Sequence, residues 1–193
     1  MKPEKLRIMF VLPSLRAGGA ERVMSYIASN LDISSFEPYL LIIGFRKDKV
    51  YEISPDVNEI YLNNNRVSRS IIDIIKTLIK YKPNVVISSI SHTNTIMSLI
   101  SPFFRNIKFV GREANVKSTR SKFDEKEMRI FSFLSKRSFR ILDSIICQSN
   151  DMIQDFKKSM EIDESKFLVI NNPITDGFTY KEKLPRNDEV IRY

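Results

Sequence analysis

One cysteine and one histidine in 193 residues remove several chemistries at the outset. Cys147 has no second thiol with which to close an internal disulfide. It stands in the apolar run Ser144-Ile145-Ile146-Cys147, where a buried, reduced thiol is expected rather than a nucleophile. A chain free of disulfides suits the cytosol. No apolar stretch approaches the length of a transmembrane helix, and the run behind the polar first residues is too short for a secretory signal core. Two nucleotide signatures are also missing. No G-x-x-G-x-x-G follows the first apolar run, and no Tyr is followed four residues on by Lys. Both absences argue against an epimerase or dehydrogenase that uses those motifs.

What is present is enough for one substantial domain. A chain of this size buries roughly 70% of its unfolded surface, so it needs no metal or cross-link to fold. Short Ile/Val/Phe runs at 7–12, 39–45, 59–62, 84–88, 108–111, 143–147 and 167–170 read as seven buried strands. Between them lie amphipathic stretches. Val23, Ile27 and Leu31 share a helical face. Ser70 is read as the cap of a helix that Pro83 stops, with Asp73 as a short capping box. Further helices are expected over 95–100, over 128–142 (Met128 to Leu142), and from Ile153 to Met160, with Ser149 or Asn150 as cap. Alternating strands and helices imply parallel strands, right-handed crossovers and helices on both faces. The expectation is therefore a doubly wound, Rossmann-like α/β sheet. Its ligands bind beyond the carboxyl ends of the strands.

The residues just after each strand are then the candidates. After the first comes Gly18-Gly19-Ala20-Glu21-Arg22. A glycine pair before a helix N-terminus suits a phosphate, and it suits a plain tight turn as well. After the fourth comes Ser91-His92-Thr93-Asn94, where His92 is a helix cap, a solvated group or a site residue. After the fifth comes Arg112-Glu113-Ala114-Asn115, which reads either as a local salt bridge or as a substrate-binding pair at the cleft floor.

Net charge is +8. From Arg105 to Arg140 there are 11 basic residues and four acids, which nearly accounts for the excess. Lys117, Arg120 and Lys122 lie in this segment. They are read either as a solvated helix face or as contacts to anionic lipid. The basic stretch also permits the alternative of a non-catalytic Rossmann-like ligand- or nucleic-acid-binding module, but no nucleic-acid motif is present and no nucleic-acid partner is expected.

These motifs, taken in order, resemble glycosyltransferase family 4, the retaining GT-B transferases of cell-surface glycan assembly. The matching residues are Gly18-Gly19-Ala20-Glu21-Arg22-Val23, Arg112-Glu113-Ala114-Asn115, Ile145-Ile146-Cys147-Gln148-Ser149 and Val169-Ile170-Asn171-Asn172-Pro173-Ile174. The resemblance implies an N-terminal, acceptor-side domain over 1–175. It also implies a linker and the start of a donor-binding domain over 176–193. It implies that Gly18 and Gly19 close on the phosphates of a nucleotide-sugar, and that Arg112, Asn115, His92 and Glu21 contact a glycan or lipid-linked acceptor. Glu113 is the implied catalytic residue. The chemistry would use a nucleotide-sugar co-substrate with no resident cofactor and no metal, and the isolated domain would be inactive. The location would be cytoplasmic, peripheral on the inner face of the cell membrane.

Overall fold

The computed structural model describes residues 4–113, 139–159 and 162–173. All seven expected strands are present and pair in parallel, in the order β3-β2-β1-β4-β5-β6-β7. They are β1 Leu6–Leu12, β2 Phe36–Ile42, β3 Asn58–Tyr61, β4 Val85–Ser89, β5 Lys108–Arg112, β6 Ser144–Cys147 and β7 Phe167–Val169. The order reverses at β1. This strand continues leftward to β2 and neighbours β4 on its right, so the crevice of the doubly wound fold opens between the ends of β1 and β4.

Side chains alternate across the sheet with period two. Met9 and Val11 of β1 point into one core with helices α2 (Ile71–Tyr81), α3 (Ser91–Ile100) and α4 (Asn150–Ser159). Phe10 and Leu12 point into the other, against Met24 and Ala28 of α1 (Gly19–Ser29). Both faces of the central strands are covered, which is why they read as continuous apolar runs.

Several local expectations are corrected. Ser70 does not cap α2 through its hydroxyl, which instead donates to the Arg66 carbonyl at 3.2 Å. The preceding 3₁₀ turn, Val67–Ser70, holds Ser70 inside a helical segment, where the carbonyl four residues back is the nearer partner. Helix α3 begins at Ser91, not Thr95, so His92 lies in its first turn rather than in a loop. Residues 139–143 are turn, not helix. Phe139 and Leu142 are buried there while Ile141 faces out. Strand β2 also lies three residues earlier than expected, at Phe36–Ile42, and α1 ends at Ser29, before Leu31. Lys82 ends α2 in the left-handed conformation, its N–H donating to the Leu78 carbonyl at 2.9 Å. Ser149 accepts the Met152 N–H at 3.4 Å. The range 176–193 lies outside the described residues, as does 128–138 of the expected long helix.

Candidate functional site

The β1–α1 turn is built from parts far apart in sequence. The Tyr51 hydroxyl accepts the Gly18 N–H and donates to the Gly18 carbonyl, both at 2.8 Å. One buried hydroxyl thereby fixes the peptide that launches α1. The Gly18 backbone is extended, with φ −150°, so its conformation does not require glycine. A β-carbon there would meet the carboxylate of Glu21, the mobile end of a side chain that folds back over Gly18 and would have to move aside. Gly19 differs, since a β-carbon there meets nothing within 4 Å. As the first residues of α1, Gly19 and Ala20 have N–H groups without intrahelical acceptors, at the positive end of the helix dipole.

Across the crevice, Arg112 ends β5. It is 3% exposed, and its neighbour Glu113 5%. The guanidinium donates to Ser89 Oγ at 3.3 Å and to Asn172 Oδ1 at 2.5 Å. Asn172 in turn donates to Gln148 Oε1 at 3.1 Å. The backbone is tied down too. Asn94 Nδ2 donates to the Arg112 carbonyl at 3.0 Å and accepts from Ser88 Oγ at 2.7 Å. Burial pulls the Arg112 guanidinium below its ordinary range, and the charge of Glu113 opposes that. A strand end, the first turn of α3 and the segment after β7 thus meet at one buried cation.

Between these walls is a cavity of about 280 Å³ lined by Gly19, Glu21, Arg22, Ile90, Arg112 and Asn172, among others. Two features of its lining were not anticipated. Ile90 has φ 75° and ψ 133°, a conformation that a β-branched residue adopts only under strain, at a cost of about 1–3 kcal/mol. Such strain concentrates where a structure must hold a particular shape at a site. Arg22 keeps a buried Nε without a hydrogen-bond partner among the described residues.

The expected site residues therefore separate. Gly19, Glu21 and Arg112 line the cavity, and Gly18 is tied into the same turn. Glu113 is at the same edge but buried behind it, its N–H on the Ile146 carbonyl at 3.1 Å. Arg112, not Glu113, reaches the cavity wall. His92 is not part of that lining. Its half-buried position lowers its pKa, so the imidazole is neutral at physiological pH. Asn115, Lys117, Arg120 and Lys122 lie outside the described residues. Cys147 is buried, and burial followed by the Glu113 charge pushes its thiol up to about 11, which leaves it un-ionised and inert. Among the described residues no cluster of His, Cys, Asp or Glu could hold a metal ion. No described helix is long and apolar enough to cross a membrane.

Glu21 supplies a prediction about stability. Partial burial raises its carboxyl above the ordinary range, and a bond to its own N–H only partly offsets this. Ionising it therefore opposes folding. Its contribution is fully present below the ordinary carboxylate range and is lost as pH rises through the raised value. Glu21→Gln is expected to melt higher than the parent chain at neutral pH, with the difference vanishing in acid. Parallel melts at the two pH values check this. An equal or lower melt at neutral pH would mean that the amide bond outweighs desolvation.

No family model matches the sequence, and no curated protein matches it either. Solved structures do share its fold. The Anabaena protein HepE, solved in complex with UDP, superposes with TM-score 0.57 at 15% identity, over 86% of this chain and 44% of its own. Sucrose-phosphate synthase from Thermosynechococcus elongatus gives 0.66 at 12%, over 86% and 48%. A UDP-GlcNAc 2-epimerase from Methanocaldococcus jannaschii gives 0.51 at 18%, over 88% and 46%. The chain spans about half the length of these proteins. Its fold is the Rossmann-like α/β fold that forms the N-terminal half of the GT-B architecture.

Proposed function

We propose that this chain is the acceptor-side domain of a retaining, family 4 glycosyltransferase that moves a sugar from a nucleotide-sugar to a lipid-linked glycan in cell-surface polysaccharide synthesis. The observation that carries the reading is the cavity at the carboxyl edge of the sheet. There the open N-terminus of α1 and the buried cation Arg112 line one space. Two negative oxygens of a diphosphate match that pairing of free amides and guanidinium. Gly19 leaves room for a phosphate to approach the backbone. The UDP bound by the fold neighbour HepE supports a nucleotide as the ligand class.

In this reading the positive groups stabilise the leaving diphosphate, and neither a metal nor a resident cofactor is required. Glu21, His92 and Asn115 contact the acceptor. Glu113 sets the charge and position of Arg112, and the catalytic role implied for it rests on Glu113→Gln losing turnover without melting early. The isolated domain holds only part of the donor site and turns over little. The protein works in the cytoplasm, at the inner face of the membrane.

The test is a titration of the chain with UDP and, separately, with pyrophosphate, followed by amide NMR. Saturable shifts at Gly19 and Ala20 with both ligands are expected. No perturbation at millimolar ligand would sink the reading. A second reading, epimerisation of a nucleotide-sugar, is favoured by the fold shared with the Methanocaldococcus epimerase. The two separate in a protein that contains both GT-B halves. A transferase needs an acceptor and keeps the anomeric configuration, whereas an epimerase makes a new sugar nucleotide with no acceptor present.

A further inference from the structure

The Glu21 side chain has a choice of partners and takes an unexpected one. It lines the cavity together with two cations, Arg22 and Arg112. Yet among the described residues its carboxylate forms no ion pair with either. It turns back instead over the start of α1, where both oxygens lie within 3.4 Å of where a β-carbon of Gly18 would stand. There it accepts the N–H of Glu21 itself. That amide precedes the first helical bond, from the Arg22 N–H to the Gly18 carbonyl, and so has no intrahelical acceptor.

Ordinary capping does not account for this. A glutamate at the third helical position caps by reaching back to the N–H of the residue before the helix. Here that N–H belongs to Gly18, and the Tyr51 hydroxyl already holds it at 2.8 Å. The carboxylate is left on the first-turn amides, and burial opposes its charge there more than the bond supports it. Residue 18 fits the same picture. Its extended backbone admits any residue, but a side chain would push the carboxylate aside, so the glycine leaves room for Glu21. In the same lining Arg22 keeps a buried Nε with no acceptor among the described residues. The cavity therefore combines spare donors with a weakly held negative charge.

We propose that Glu21 is a specificity-determining residue: its carboxylate stands in for a phosphate at the N-terminus of α1, and only a ligand with a second phosphate for the arginines displaces it. The inference rests on the reading of the cavity as a diphosphate site. Charge balance supplies the reason. A ligand with one phosphate exchanges one anion for another at the amides and gains little. A diphosphate makes the same exchange and also brings a second phosphate to Arg112, whose guanidinium donates to the neutral side chains of Ser89 and Asn172. Glu21 thus keeps the open amides from single phosphates and other monoanions. Once displaced, the carboxylate is free for the acceptor.

The test titrates the full chain with inorganic phosphate and with pyrophosphate. NMR follows the Gly19 and Ala20 amides and the side-chain carboxyl carbon of Glu21. In the parent chain pyrophosphate is expected to shift all of these resonances over one concentration range, and phosphate at the same concentrations to shift none. In Glu21→Gln both anions should shift the two amides. Pyrophosphate should bind this variant about tenfold tighter, the scale of removing a competing charge from a partly buried helix N-terminus. Glu21→Ala should behave alike. Circular dichroism should stay unchanged in both variants, since Glu21 belongs to neither core cluster.

Pyrophosphate that moves the amides but leaves the Glu21 carboxyl where it was would overturn the inference and spare the diphosphate reading. Equal or weaker pyrophosphate binding by the variants would do the same, as a purely structural glutamate requires. Phosphate that perturbs the parent amides as strongly as pyrophosphate also overturns it. If neither anion binds the parent or the variants, the diphosphate reading falls and the inference with it.

Discussion

Gly19→Val is expected to leave the melting curve nearly untouched and, under the transferase function proposed above, to lower transfer by about a hundredfold. The first half follows from geometry. A β-carbon at Gly19 meets no atom within 4 Å, and the position is the first residue of α1. Valine is no worse than glycine as a helix former, so stability should move by less than about 1 kcal/mol. The second half follows from where the new methyls would stand. Gly19 lines the cavity, and its side-chain direction is open space. A phosphate that uses the free amides of the first turn would meet those methyls. Loss of a well-placed electrostatic contact of this kind costs roughly a hundredfold in rate. Steady-state transfer beside a thermal melt checks both halves. Near-normal transfer by Gly19→Val would reduce the glycine pair to a tight turn. Gly18 is the poorer test, because a side chain there must first displace Glu21.

Arg112→Met is expected to destabilise the chain by about 3 kcal/mol, the scale on which removal of one buried, hydrogen-bonded charge costs stability. Arg112 and Glu113 are both nearly inaccessible, and their charges act on each other. The same change also frees Asn172 from its cation, loosening the segment that follows β7. Denaturant unfolding measures the loss. The control is Arg112→Met combined with Glu113→Gln, which removes both charges and should recover much of the stability. If the double variant is no better than the single one, the loss comes from the bonds to Ser89 and Asn172 and not from the lost attraction between the two charges. Arg112→Lys keeps the charge but not the planar fork that reaches Ser89 and Asn172 together, so it should fold better than Arg112→Met.

The central strands were legible because a sheet covered on both faces writes itself as apolar runs, whereas the edge strands β3 and β7 are short and partly exposed. The first turn of α3 was not. Ser91, His92, Thr93 and Asn94 look like a polar loop, yet Thr93 and Asn94 are fully buried. Asn94 earns its burial through bonds to Ser88 and the Arg112 carbonyl, partners that a local pattern cannot display. The end of the expected long helix failed for a related reason. Apolar residues at 139, 141 and 142 suit a helix or a turn packed on the sheet, and only tertiary contact decides. At the candidate site, glycines and charged strand ends could be found by position alone once the sheet was assumed. Tyr51 could not, because its hydroxyl reaches Gly18 across 33 residues. Nor could Ile90, since nothing in its chemistry announces a positive φ.

The central place of β1 has a consequence for how the chain is made. Four of its seven residues, Met9 to Leu12, are fully buried, and both neighbours are encoded later. Phe10 waits 30 residues for Leu40 on one side and 77 for Ile87 on the other. At a translation speed of about 5–20 residues per second, the second wait lasts roughly 4–15 seconds. During that wait the apolar run Ile8 to Leu12 stands with an unpaired edge. Parallel strands offer no local hairpin to shelter it, because each pairing must await a full crossover. The nascent chain should therefore be a client of holding chaperones until β4 emerges, and it becomes self-sufficient only when the crevice between β1 and β4 closes.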